Sequence, residues 1–178
     1  EISKMALSTF QGVDGPLAKE FQHLVDWAVK KENPDTIFLS TAMQVSLAPA
    51  IRRIANIPVY CSFQGEDTFL ESLIEPYQSQ IWELMREASA SVERYISPSQ
   101  AFAEHMSKHL VLRPEQIAII PNGINLDGYE PRKEVPATPA LGFLARMSHL
   151  KGMDLLVDAF ILLHKRKTIP AETELRIA

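Results

Sequence analysis

Apolar residues along the chain change period repeatedly, and the changes set out its elements. The first ten residues show no clear period. From Pro16 the spacing becomes helical, with Leu17, Phe21, Leu24, Val25, Ala28 and Val29 on one stripe and Lys19, Glu20, Gln22 and Asp26 off it. Pro34 ends that segment. Thr36 to Ser40 is a short apolar run of the kind that fits a strand buried on both faces. The cycle then repeats. Met43 to Ala55 reads as a helix, with Pro49 marking a kink or a late start, and Pro58 to Phe63 reads as a strand. Gln64 to Asp67 is a turn, and Thr68 with Glu71 has the spacing of a capping box. Pro76 to Ala90 reads as a helix and Arg94 to Ser97 as a strand. Ser97 has the features of an N-cap, with Pro98 at the first helical position of a helix reaching about Leu110. Gln116 to Pro121 is an isoleucine-rich strand.

Helix and strand alternate with short links, which predicts a parallel sheet with right-handed crossovers and helices on both faces. Residues 122–139 carry Asn-Gly, Asp-Gly and three prolines with little apolar content, and read as an interdomain linker. A second α/β unit follows: a strand over Ala140 to Ala145, a helix from Gly152 to about Lys165, and a strand over Glu174 to Ala178. Leu155, Leu156, Ala159, Phe160 and Leu163 are the expected buried stripe of that helix. The expected organisation is therefore 1–121, a linker over 122–139, and 140–178.

Composition narrows the class. The chain has 178 residues, 46 % hydrophobic and 22 % charged, with a net charge of −4. Such values exclude a disordered chain, and the absence of a basic excess argues against a nucleic-acid partner. No apolar run is long enough for a transmembrane helix, and no signal-peptide pattern is visible. The single cysteine, Cys61, is expected as a small buried apolar residue and fits a reducing compartment.

In parallel sheets ligands bind at the carboxyl ends of strands. The most informative such loop runs from Ala145 through Arg146, Met147, Ser148, His149 and Leu150 to Lys151 and Gly152. An arginine follows a strand, and Lys-Gly stands where a helix begins. Guanidinium and ammonium groups suit phosphate oxygens, and a helix start attracts anions. Two solvated basic residues would give the same sequence. Elsewhere, His105 and His109 share a helix face, but Met106 stands where a metalloprotease motif needs glutamate, so solvated histidines are the favoured reading over a metal site. His149 lies in the same basic loop and could meet a bound ligand or only water. Adjacent Glu66 and Asp67 cannot straddle one bond as a glycosidase pair does, and suit a helix start. His164 to Lys167 could attract anionic lipid, but favourable charges at a helix C-terminus explain them better. Dinucleotide, Walker and nucleophile-elbow motifs are absent, which weighs against dehydrogenase, NTPase and hydrolase functions.

Three linked segments carry a resemblance: Ile120-Pro121-Asn122-Gly123-Ile124-Asn125-Leu126-Asp127, Leu141 to Arg146, and Leu150-Lys151-Gly152 through Phe160. Together they closely resemble the family 4, or group 1, retaining glycosyltransferases. Pro58 to Asp67 and Ser97-Pro98-Ser99 are similar to that family's upstream strands and loops. The resemblance implies a GT-B fold, two Rossmann-like α/β domains with parallel sheets and a cleft between them. It implies transfer of a sugar from a nucleotide-sugar donor to a hydroxyl acceptor, sugar or lipid-linked, without a metal or other cofactor, in the cytoplasm. Arg146 and Lys151 would hold the diphosphate and serve catalysis. Gln64, Gly65, Glu66, Asn122, Gly123 and Gly152 would bind donor or substrate. The family usually has histidine at the position of Gln64, glycine at that of Ala145 and aspartate at that of Asn125. The resemblance further implies a chain truncated at both ends, with the family's donor-binding acidic pair beyond Ala178. The isolated fragment is then expected to be inactive and to self-associate through exposed sheet edges, and peripheral membrane contact is compatible with it. A second reading, prompted by Gln64, is a non-catalytic GT-B-like module that binds sugar, phosphate or a partner protein.

Overall fold

The computed structural model describes all 178 residues except Arg132, Lys133, Val135 and Pro136. Part of the linker expected over 122–139 therefore lies outside the described residues. The chain divides into two compact units, Glu1–Ile124 and Asn125–Ala178.

The first unit holds four strands, β1 (Ile37–Leu39), β2 (Val59–Ser62), β3 (Arg94–Ser97) and β4 (Ile117–Ile119), parallel and in the order β1-β2-β3-β4. Its helices are α1 (Ile2–Phe10), α2 (Ala18–Asp26), α3 (Ala48–Ala55), α4 (Asp67–Glu71), α5 (Tyr77–Ser89) and α6 (Gln100–Leu110). This is a mixed α/β, Rossmann-like sheet, as the alternation of periods predicts.

Helices on both faces were expected, and the burial pattern corrects that. The register aligns Leu39 with Cys61, Cys61 with Tyr95, and Tyr95 with Ile117, so these four share one face. The first three of them are buried. The opposite face carries Phe38, Tyr60 and Arg94 in one row, and Phe38 is 53 % exposed. Right-handed crossovers between strands taken in unbroken order return on the same side, so their helices gather on one face. For the same reason the run at Thr36 to Ser40 is not buried on both faces: β1 is an edge strand with Phe38 outward.

The core lies under the buried face. Phe63 stacks on Tyr95 at a centroid distance of 4.6 Å and meets Phe102 edge-on at 6.0 Å. The Tyr95 hydroxyl shares a 2.7 Å hydrogen bond with Ser89 Oγ, which satisfies it within the core. Burial pushes the Tyr95 phenol well above its ordinary range. Cys61 is fully buried, as expected of a small apolar residue, and burial together with the Glu66 charge drives its thiol well upward.

Several boundaries move for local reasons. The first ten residues form α1, whose inward face is Ser3, Ala6 and Phe10. A serine and an alanine give little hydrophobic contrast, so the helical period is hard to see. Ser3 Oγ accepts from the Ile74 amide at 3.2 Å. Pro49 marks a late start: Ala42–Leu47 is a 3₁₀ segment capped by Thr41, and α3 begins only at Ala48. The cap of α6 is Ser99, whose side chain accepts from the Phe102 amide, and not Ser97. Ser97 is fully buried at the end of β3 and donates instead to the Ser99 carbonyl. The capping box at Thr68 and Glu71 is not formed, because α4 already begins at Asp67.

In the second unit β5 (Ala140–Phe143) pairs in parallel with β6 (Glu174–Ile177), and α7 (Met153–Lys165) connects them. The expected buried stripe is corrected: Leu155 is 73 % exposed and Ala159 is exposed too. The half-buried side of α7 is Met153, Leu156, Val157, Phe160, Leu163 and His164. Two short strands can shield only a narrow strip of one helix, and no α7 residue is fully buried. Among the described residues, no helix is long and apolar enough to cross a membrane.

Candidate functional site

Because all four strands of the first unit run in parallel, their carboxyl ends lie along one edge of the sheet. Gln64, Gly65 and Glu66 follow β2 there, and Asn122 and Gly123 follow β4, two strands away. Gln64, Gly65, Asn122 and Gly123 are all exposed. Gly65 has φ +91°, a conformation in which any side chain would be strained, so the turn requires glycine.

Glu66 differs from its neighbours, because it is 4 % exposed. Its Oε1 accepts from the Thr41 hydroxyl and from the Ala42 amide at 2.8 Å, and its Oε2 accepts from the Gln64 amide at 2.8 Å. A buried carboxylate needs such donors to offset lost hydration. These bonds tie the loop after β1 to the loop after β2. With both carboxylate oxygens engaged in these bonds, Glu66 holds the two loops together. Ser62 adds a second tie, donating to the Ser40 carbonyl at 2.6 Å and accepting from Gln64 Nε2 at 3.2 Å. The Gln64 backbone and side chain are therefore both anchored. Sequence reasoning missed Thr41 and Ser62. Thr41 is 25 residues from Glu66, and no local motif links them.

In the second unit, Arg146, Lys151 and Gly152 share the loop between β5 and α7. Arg146 and Lys151 are exposed. Among the described residues, neither side chain has a carboxylate partner. Gly152 adopts φ +70° as the N-cap of α7, after a 3₁₀ turn over His149–Lys151. The amides of a helix's first turn lack partners within the helix, so the loop carries two exposed cations next in sequence to free amide donors. His149 Nδ1 pairs with Asp154 Oδ2 at 2.8 Å, and both line a shallow cavity of about 210 Å³ with Met147, Ser148 and Met153. A larger cavity, about 470 Å³, lies elsewhere, along α6 and β4, and includes none of the predicted site residues.

His105 and His109 are not simply solvated. Both are half-buried and face Glu71 of α4. Their Nε2 atoms lie 3.0 and 3.6 Å from the same Glu71 oxygen.

A parallel Rossmann-like sheet whose loops gather polar groups at the carboxyl edge is the framework of enzymes and binding proteins that handle phosphorylated or sugar ligands. The sequence model of Glycosyltransferase Family 4 matches residues 10–127, so the chain belongs to that family. The match spans nearly all of the first unit, including Gln64 to Glu66 and Asn122-Gly123. The segments from Leu141 to Phe160 lie outside it. A search of curated proteins finds no match.

Proposed function

We propose that the chain serves a retaining glycosyltransferase of GT-B architecture that moves a sugar from a nucleotide-diphosphate donor to a hydroxyl acceptor. The observation that carries this reading is family membership over the unit whose strand ends present Gln64, Gly65, Asn122 and Gly123. The basic loop opening α7 supports it independently.

In this reading Arg146 presents its planar fork and Lys151 its ammonium to the diphosphate of the donor, with the N-terminal amides of α7 and the open backbone of Gly152 beside them. As the glycosidic bond breaks, negative charge builds on the leaving nucleoside diphosphate. Fixed cations stabilise that charge more than the ground state, which is how binding becomes catalysis. The charge is met by protein groups, so a metal is not required for the transfer. Gln64 donates or accepts a hydrogen bond at a sugar hydroxyl, but it cannot carry a proton. The acceptor is a sugar or lipid-linked hydroxyl, the place of action is the cytoplasm, and the pathway is one of carbohydrate biosynthesis.

The stereochemical outcome tests the reading. With an accepted donor, NMR of the product formed by the full-length protein should show the donor's anomeric configuration; an inverted product would overturn the retaining assignment. A substitution probes the sugar contact. Gln64→His loses at most the one side-chain bond to Ser62 at an exposed position, so the midpoint of thermal unfolding should fall by less than about 6 °C. The substitution should alter turnover or donor preference instead. A collapse in melting temperature with unchanged donor preference would assign Gln64 a structural role only.

A further inference from the structure

We propose that Glu71, His105 and His109 form a binding site for a divalent transition-metal ion of the zinc type, distinct from the sugar-transfer residues. His105 and His109 are four apart on α6, so both imidazoles project from one helix face. Glu71, at the end of α4, meets them from a separate element. One ligand atom from each of the three lies within 4.8 Å of the other two. Four ligands at about 2.0–2.1 Å from zinc in a tetrahedron stand roughly 3.3 Å apart. The observed separations from the Glu71 oxygen, 3.0 and 3.6 Å, bracket that spacing. Asp67 Oδ2, one turn earlier on α4, lies 3.8 Å from His105 Nε2 and can provide the fourth ligand.

Two further observations favour an ion over a plain histidine–carboxylate contact. His105 Nε2 is shielded from solvent, yet its geometry toward Glu71 does not make a hydrogen bond with that carboxylate or any other described group. A polar atom so placed lacks a partner that a metal would supply. The rings are also held in place. His109 stacks on buried Trp82 at 4.2 Å with 16° between planes, and His105 lies nearly parallel to Phe102 at 6.4 Å. Restrained rings lose little freedom when they ligate. Two imidazoles with one or two carboxylates suit zinc, nickel or copper(II), whereas magnesium and calcium prefer all-oxygen sets.

The ion would bridge α4 to α6. Because α4 follows directly on Gln64 to Glu66, the bridge would brace the loop that carries Gln64. Its role is structural, and the proposed transfer needs no metal step.

Calorimetric titration of the untagged, metal-free protein with zinc chloride tests the site. One equivalent should bind saturably, with magnesium chloride giving no heat. With zinc at about 100 times Kd the unfolding midpoint should rise by roughly 5–10 °C. Cobalt chloride should give the intense visible absorption of a four-coordinate site. His109→Gln and Glu71→Gln should each weaken zinc binding at least about tenfold, and His149→Ala should leave it unchanged. Failure of the wild-type protein to bind one equivalent, a weak six-coordinate cobalt spectrum, or loss of binding in His149→Ala would overturn the proposal. The wild-type measurements decide the matter even if a variant folds poorly. None of them depends on sugar transfer.

Discussion

Glu66→Ala should destabilise the first unit by about 3 kcal/mol or more. The substitution leaves the Ala42 and Gln64 amides and the Thr41 hydroxyl without their acceptor. The buried Ala42 amide left unpaired costs about 1–3 kcal/mol, and the part-buried Thr41 and Gln64 donors each lose a bond to a charged acceptor worth about 1.5–3 kcal/mol, offset in part by water. The hydroxyl can turn toward another partner, but the two amides are fixed by the backbone. For a chain of this size the loss corresponds to a fall in melting temperature of roughly 6–12 °C. Glu104→Ala is the control. Glu104 is exposed and, among the described residues, bonds only to Gln100 on its own helix, so its loss should cost less than about 0.5 kcal/mol. Thermal unfolding followed by circular dichroism makes the comparison. Equal midpoints for the two variants would show that Glu66 does not tie the loops together. Glu66→Gln should fall between them, because it keeps one acceptor oxygen and sets an NH₂ group against a donor.

The second large effect is on catalysis. In the full-length protein, Arg146→Ala and Lys151→Ala should each lower kcat/KM for the donor by about one to two decades. Each removes a charge-assisted hydrogen bond worth about 1.5–3 kcal/mol in the transition state. Both residues are exposed, so neither change should disturb folding. Steady-state kinetics with varied donor reads the effect. If both act on the same diphosphate, the double variant should lose less than the product of the single losses. Wild-type kinetics in the double variant would contradict the phosphate assignment.

The residues show why some features were legible in the sequence and others were not. β3 could be read to its ends, because Arg94 to Ser97 is bounded by Glu93 and Pro98, and the same punctuation places β2 and α5 closely. The N-terminal helix escaped notice because it packs through Ser3, Ala6 and Phe10, a stripe that alternating polarity does not mark. The cap of α6 lies two residues beyond the expected one because two candidate cap residues, Ser97 and Ser99, flank Pro98. Only the burial of Ser97 in the sheet decides between the serines. Phe38 looked like a core residue, since a three-residue strand carries too few positions to show which face is covered.

The site divides in the same way. Gln64 and the Arg146–Gly152 loop stood out, because strand ends and basic residues before a helix have local signatures. The role of Glu66 depends on Thr41 and Ala42, and the cluster at His105 and His109 depends on Glu71. Those partners are 24 to 38 residues away, and only the fold brings them together.

The most direct test of the central claim is donor turnover by the full-length protein. A panel of nucleotide-diphosphate sugars, offered with simple sugar and lipid-linked acceptors, should yield release of nucleoside diphosphate from at least one donor. That release should be metal-independent and, when Arg146 and Lys151 are both replaced by alanine, should fall at least as far as in either single variant, about one to two decades or more. No release from any donor, or release unaffected by the double replacement, would contradict the account. Saturable nucleotide or sugar binding without turnover would instead identify a binding module on the same fold.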